Sequence, residues 1–129
     1  MAAYLDSSAL VKLVVREPES TSLRRFLRAH PIRVASALVR VEVPRAVRAR
    51  GADAYARALA VISRVRLLSI DDDILAAASL LDPSVLRSLD AIHLASALAF
   101  GADLAGIVTY DVRMQRAASV LGLDVFAPR

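Results

Sequence analysis

Short apolar runs alternate with longer amphipathic segments along the whole chain. The runs are short enough for buried strands, and the segments between them repeat their apolar residues at helical spacing. Five strands are predicted, at Ala2–Leu5, Ile32–Ala35, Leu67–Ile70, Gly106–Tyr110 and Leu123–Phe126. Strands that alternate with helices predict an α/β fold, in which helices cover both faces of an open, mostly parallel sheet.

Cap and turn residues place the helices between these strands. Helices are predicted after Ser7, from Ser20 or Thr21, from Ser36 to about Arg50, over Ala54–Val65, from Asp71–Asp73 through Leu81, from Asp90 to Gly101, and over Val112–Leu121. Pro44 lies inside the third of these, so we expect a kink or a break there. We expect residues 1–129 to form a single domain, because this length suffices for one hydrophobic core but not for two.

Composition indicates a folded protein of a reducing compartment. The chain is 57% hydrophobic, has 4 Gly and 5 Pro, and contains no Cys, so it gains nothing from disulfides. Asp6 and Lys12 interrupt the apolar start, which is not typical of a signal peptide. The longest uncharged stretch, Ala91–Ala102, is too short to span a bilayer. We therefore expect a cytoplasmic protein without a membrane segment.

Four acidic side chains are predicted to meet at one edge of the sheet. Asp6 immediately follows the first strand and Asp111 the fourth. Glu42 lies in the second turn of the helix after strand two, and Asp90 lies in the first turn of its own helix. Active sites of open parallel sheets lie beyond the carboxyl ends of the strands. These four carboxylates are therefore the candidate catalytic residues and metal ligands.

Clustered carboxylates stay ionised together only beside a cation. Oxygen ligands favour Mg²⁺ or Mn²⁺, and such an ion activates water for phosphodiester hydrolysis. The net charge is +4, and 16 of the 17 basic residues are Arg. Without the four clustered acids, nine acidic residues stand against those seventeen. An acidic pocket on a basic body suits a polyanionic substrate.

Four segments in order resemble one protein family along nearly the whole chain. They are YLDSSALVKL, ASALVRVEV, LRSLDAIHLASAL and VTYDVRMQRAASVLGLDVFAP, and they resemble PIN-domain ribonucleases, within them the VapC-type toxins of toxin–antitoxin pairs. The resemblance implies a three-layer α/β/α sandwich and Mg²⁺- or Mn²⁺-dependent endonucleolytic cleavage of RNA. It also implies a cognate VapB-type antitoxin, which would block the acidic pocket, and a homodimer.

The resemblance also assigns residues. By position, Asp6, Glu42, Asp90 and Asp111 match the acidic quartet of the family. Ser7, after the first acid, and Thr109, two positions before the fourth, are predicted to support the site with their hydroxyls.

Other candidate residues are predicted to lie outside the acidic quartet. We expect His93 to be a packed helix histidine, Asp71–Asp73 to be a helix start, and Lys12, Arg16, Arg113 and Arg116 to lie near the pocket rim as candidate phosphate contacts.

Two other functions stay open at this point. The chain could be a PIN-fold nuclease of RNA processing outside a toxin system, or a non-catalytic module that binds RNA or a partner. Two other acidic α/β classes do not fit the sequence. A receiver domain needs paired acids after strand one and a late lysine, whereas the only lysine is Lys12. A haloacid-dehalogenase-type phosphatase needs an aspartate where Ser8 stands.

Overall fold

The computed structural model describes all residues, 1–129. Its five strands are β1 Ala2–Leu5, β2 Arg33–Ser36, β3 Arg66–Leu68, β4 Leu104–Val108 and β5 Val125–Phe126. Its seven helices are α1 Ser7–Val14, α2 Ser20–Ala29, α3 Val39–Val47, α4 Ala52–Ile62, α5 Asp72–Ser79, α6 Ser88–Phe100 and α7 Val112–Val120. Short 3-10 turns follow α3 and α6.

The strands form one sheet in the order β3-β2-β1-β4-β5, and every pair is parallel. The chain therefore builds outward from β1 in one direction through β2 and β3, and in the other through β4 and β5. Adjacent strands β1 and β4 flank the point where the direction reverses. Parallel sheets open a crevice at the carboxyl ends of such strands, which is where Asp6 and Asp111 were expected.

Helices cover both faces of the sheet, as the sequence predicted. Alternate residues of β1 point to opposite faces because the side-chain period of a strand is two. Ala3 and Leu5 join a buried cluster with residues of α1 to α4. Ala2 and Tyr4 join a second cluster with residues of α6 and α7. The fold is thus a single-domain, three-layer α/β/α sandwich. No helix is long and apolar enough to cross a membrane.

The starts of α1 and α3 differ from the predictions. Ser7 does not cap α1. Asp6 does, because its Oδ1 accepts the Ala9 N–H at 3.0 Å. α3 begins at Val39 rather than directly after Ser36, although Ser36 Oγ still accepts the Leu38 N–H at 3.2 Å. Glu42 consequently lies in the first turn of α3, not in the second.

Of the kink or break predicted at Pro44, the structure shows no break. α3 continues through this buried proline to Val47 and then passes into the 3-10 turn at Arg48–Arg50. Proline removes one intrahelical hydrogen bond, to the carbonyl four residues earlier. That carbonyl belongs to the exposed Arg40, where water can satisfy it, so the loss does not break the helix.

β4 ends earlier than predicted, at Val108 rather than Tyr110. Asp111 therefore does not follow the strand directly. Thr109 and Tyr110 intervene, and Asp111 becomes the N-cap of α7. Thr109 N–H still bonds the Phe126 carbonyl of β5 at 3.1 Å, and the Thr109 hydroxyl reaches Asp6 beyond the end of β1.

Candidate active site

Asp6 is a buried carboxylate with a donor on each oxygen. It is 3% exposed. Its Oδ1 accepts the Ser8 hydroxyl at 2.6 Å and the Ala9 N–H, and its Oδ2 accepts the Thr109 hydroxyl at 2.5 Å. Burial raises the pKa of Asp6, although the bonds from Ser8, Thr109 and Ala9 oppose that rise. The first acid is thus fixed in one orientation at a cost in desolvation.

Thr109 connects the first acid to the fourth. Its hydroxyl donates to Asp6 and accepts the Asp111 N–H at 3.2 Å. Asp111 in turn caps α7, since its Oδ1 accepts the N–H groups of Arg113 at 2.9 Å and Met114 at 3.3 Å. Its Oδ2 has no protein partner and the residue is exposed. The sheet end therefore places a buried and an exposed carboxylate beside each other.

Glu42 is anchored through one oxygen only. Its Oε1 accepts the Ser7 hydroxyl at 2.9 Å and lies 2.6 Å from His93 Nε2. The hydroxyl of Ser7, which follows the first acid in sequence, therefore contacts Glu42 rather than Asp6. The second carboxylate oxygen, Oε2, has no protein partner. Glu42 therefore bridges α1, α3 and α6 and keeps a free oxygen.

His93 is 1% exposed, as expected for a packed histidine. Its Nδ1 lies 2.7 Å from the Tyr4 hydroxyl, whose oxygen also accepts the Ser36 N–H at 3.2 Å. Burial raises the pKa of Tyr4, so the phenol keeps its proton. The contact between His93 and Glu42 was not predicted, because the two residues are 51 positions apart in sequence and only the tertiary fold brings them together.

Asp90 forms no hydrogen bond with the protein. It lies in the first turn of α6, as predicted, and is half-buried. Burial raises its pKa, and the negative charge of Asp111 raises it further, whereas His93 and Arg87 act in the opposite direction. Glu42 adds a smaller repulsion. The structure therefore brings Asp90 within electrostatic range of two of the other three predicted acids.

The donor set suits a hard divalent cation. Asp90, Glu42 and Asp111 offer free carboxylate oxygens, which are the kind of ligand that Mg²⁺ and Mn²⁺ prefer. The repulsion that raises the pKa of Asp90 is one that a bound cation would relieve. As the side chains stand, however, no group of three acidic or histidine residues is close enough to hold a metal ion together. Binding would therefore require the free carboxylates to move inward.

Two contributors to the site were missed from the sequence. Ser8 donates to Asp6 and accepts the Tyr110 N–H at 3.0 Å. Tyr4 reaches the site only through His93. A hydroxyl two residues after an N-cap aspartate is a local signal that could have pointed to Ser8. Nothing in the sequence could have indicated the Tyr4 contact.

The four predicted rim residues differ in their surroundings, and Arg16 is simply exposed. Lys12 is nearly buried and pairs with Glu19 at 2.8 Å and Glu17 at 3.6 Å, so it does not serve as a phosphate contact at the rim. Arg113 and Arg116 line a cavity beside Asp90.

The predicted Asp71–Asp73 helix start is confirmed, because Asp71 caps α5 by accepting the Ile74 N–H at 2.9 Å.

Comparison with known proteins gives consistent results. Residues 3–120 match the family model described as PIN domain. The chain is 51% identical over 127 residues to Ribonuclease VapC46 of Mycobacterium tuberculosis, covering 98% of both chains. It is 43% identical over 129 residues to Ribonuclease VapC35 of the same species, covering 97% of this chain and 96% of the relative.

Solved structures share the fold at lower sequence identity. Mycobacterium tuberculosis VapC20, described as a sarcin–ricin-loop-cleaving toxin, superposes with a TM-score of 0.76 at 20% identity, over 98% of this chain and 99% of the other. The VapBC2 complex of Rickettsia felis, bound to a promoter DNA fragment, gives a TM-score of 0.78 at 15% identity, with all of both chains covered. The family match and the identity to full-length relatives lead to one conclusion: the chain belongs to the PIN-domain family, in its VapC branch.

Proposed function

We propose that this protein is a metal-dependent endoribonuclease and the toxin of a toxin–antitoxin pair. The observation that carries the proposal is the 51% identity to a named ribonuclease over 98% of the chain, together with four acidic residues around the carboxyl ends of β1 and β4. No observation favours an RNA-processing nuclease or a purely binding module over this function.

Asp6, Glu42, Asp90 and Asp111 are the residues that would hold Mg²⁺ or Mn²⁺. When bound, such a cation supplies an activated water and positive charge for the leaving oxygen of a phosphodiester. The protein supplies position. Ser8 and Thr109 hold Asp6 in one orientation, and Ser7 and His93 hold Glu42 in one orientation. Fixed ligands keep the reacting groups in line, which is a large part of catalysis of phosphate transfer.

Macromolecular partners follow from the same family. Two of the solved structures that share this fold are toxin–antitoxin complexes, one from Klebsiella pneumoniae and one from Rickettsia felis. We infer a VapB-type antitoxin that covers the acidic pocket, an RNA substrate that is drawn by the basic surface, and a homodimer. The net charge of +4 favours binding of a polyanion such as RNA.

The test is cleavage of total cellular RNA by the purified protein, freed of antitoxin, with Mg²⁺ or Mn²⁺ and with EDTA. Asp6→Asn removes a ligand charge at almost unchanged shape. Asp53→Asn is the matched control, because Asp53 is an exposed acid in the first turn of α4, away from the site.

Discrete RNA fragments that require the metal, appear with the Asp53→Asn protein and are lost with Asp6→Asn are the expected result. Cleavage that persists in EDTA, or that is equal in wild type and Asp6→Asn, would contradict the proposed mechanism. RNA that is bound in both conditions but never cut would indicate a binding module.

A further inference from the structure

A cavity of about 230 Å³ opens directly beside Asp90. Its apolar part is formed by Val85, Leu86 and Val120. Its basic part is formed by Arg87, Arg113 and Arg116. We call it the arginine cavity. None of its three arginines forms an ion pair with a carboxylate. Asp90 belongs to its wall, so the cavity is continuous with the acidic cluster.

The two parts of the arginine cavity match the two parts of a nucleotide. A guanidinium group binds phosphate oxygens through its fork of donors and also stacks on base planes. Apolar side chains accept the face of an unpaired base. Val85 and Val120 are 87% and 76% exposed, so the apolar part of the arginine cavity is open to a ligand from solvent.

We infer that the arginine cavity is a subsite for one unpaired nucleotide of the RNA, next to the phosphodiester that is cut. The inference rests on the proposed ribonuclease function. Duplex RNA does not offer an unpaired base face, so the subsite selects single-stranded segments. Charge complementarity is what favours RNA here over a protein partner.

Binding in EDTA separates this subsite from catalysis. The probe is a short single-stranded RNA labelled with a fluorophore, and the readout is its anisotropy over a range of salt concentrations. The variant Arg113→Ala/Arg116→Ala is compared with Arg48→Ala/Arg50→Ala, which removes the same charge from the exposed turn after α3. The same RNA annealed to its complement is the second arm.

The cavity variant is expected to bind the single strand about tenfold more weakly. The slope of the logarithm of affinity against the logarithm of salt concentration should become shallower by roughly 1.4, because each of the two lost phosphate contacts contributes about 0.7. The control variant and the duplex arm should change much less. Equal affinity of the cavity variant and the control would overturn the subsite, even if both still cut RNA. The subsite would also be overturned if the cavity variant bound RNA as wild type does but were no longer inhibited by an antitoxin. That result would assign the cavity to the antitoxin.

A second observation stands independently of the cavity. A carboxylate oxygen can only accept, so the imidazole proton that faces Glu42 Oε1, 2.6 Å away, lies on Nε2 of His93. On the other side of the ring, Nδ1 lies 2.7 Å from the Tyr4 hydroxyl, whose oxygen accepts the Ser36 N–H. This buried chain therefore holds the ring with Nε2 towards Glu42.

We infer that His93 is a positioning residue, held between Tyr4 and Glu42 so that its Nε2–H donates to Glu42. Its effect on cleavage rests on the proposed function, whereas its proton position does not. Histidines that orient a carboxylate in this way commonly depend on the partner of the other ring nitrogen.

Nitrogen NMR of the histidine rings tests the proton position directly, because the chain has only two histidines. His30 is the internal comparison. Its Nδ1 lies 3.1 Å from the Phe26 carbonyl, which can only accept, so its proton lies on Nδ1. A proton on Nε2 of His93 and a proton on Nδ1 of His30 are expected. A His93 ring without a proton on Nε2 would overturn the inference.

Activity provides the second arm. His93→Leu is expected to lower kcat by about 10- to 100-fold with little change in KM. His93→Gln, whose amide can donate to Glu42, should recover most of that loss. A folded His93→Leu protein with wild-type kcat, or a His93→Gln protein no better than His93→Leu, would contradict a positioning role.

Discussion

The two halves of the acidic cluster are built differently. Asp6 and Glu42, the bonded half, accept hydrogen bonds from Ser7, Ser8, Thr109, His93 and the Ala9 backbone. Asp90 and Asp111, the open half, have no side-chain donor at all. One half is therefore organised by the fold alone, whereas the other retains free oxygens and mutual repulsion.

This difference explains why the acids are near each other without forming a ready metal site. Bonded carboxylates cannot turn without losing hydrogen bonds worth about 1 kcal/mol each. Asp90, which makes no hydrogen bond, can turn and gain from a cation, whereas Asp111 stays bonded to the start of α7 through Oδ1. We therefore expect substitutions in the bonded half and at Asp111 to affect both stability and catalysis, and substitution of Asp90 to affect chiefly metal binding and catalysis.

The largest effect is expected in the open half. Asp90→Asn should lower kcat by more than about 100-fold, because loss of a metal ligand exceeds the loss of an outer partner. Its melting temperature without metal should stay equal or rise, since Asp90 makes no hydrogen bond that asparagine would lose. Cleavage rates and thermal melts of wild type, Asp90→Asn and Asp53→Asn check both statements. A wild-type rate for Asp90→Asn would remove it from the site.

The next effect concerns the donors to Asp6. Thr109→Val keeps the shape but removes the hydroxyl that joins Asp6 to Asp111, so we expect a loss of about 10- to 100-fold in cleavage. Thr21→Val, at an exposed position of α2, is the control. Steady-state cleavage of a defined RNA measures the ratio. Equal rates for both threonine variants would mean that Thr109 only packs.

Asp6 should also make stability depend on pH in the metal-free protein. Its folded pKa lies above 3.8, so the unfolded chain releases this proton at lower pH than the folded chain. Stability is lost as pH rises through that interval and stays reduced above it. Asp6→Asn should therefore melt higher than wild type near neutral pH, with the gap closing towards pH 4 in EDTA. A gap that does not vary with pH would contradict the effect of burial on this carboxyl.

The smallest effect is expected at Ser7. Its hydroxyl is one of two donors to Glu42 Oε1, and His93 remains when it is removed. Ser7→Ala should cost about 0.5–1.5 kcal/mol, or roughly two- to tenfold in rate. A loss as large as that of Thr109→Val would show that the two donors to Glu42 are not equivalent.

Much of this organisation was predictable from the chain alone. Each of the five strands was placed within a few residues, because short apolar runs between turn residues are a local signal. The four acids followed from strand ends and helix starts, which are also local. The family resemblance supplied the α/β/α architecture, confirmed here by the all-parallel sheet.

The contacts that hold the acids were harder to predict, because they join distant segments. Asp6 meets Thr109 across 103 positions, and Glu42 meets His93 across 51. No periodicity carries such information. The end of β4 at Val108, which separates Asp111 from the strand by two residues, was likewise not indicated by the apolar pattern.

Binding of Mn²⁺ to the RNA-free protein tests the central claim most directly, by calorimetry on wild type, Asp90→Asn and Asp53→Asn. Wild type and Asp53→Asn are expected to bind the ion with equal affinity, and Asp90→Asn is expected to bind it at least about tenfold more weakly. Equal affinity of all three proteins, or no binding by wild type, would contradict the claim that these carboxylates form a metal site.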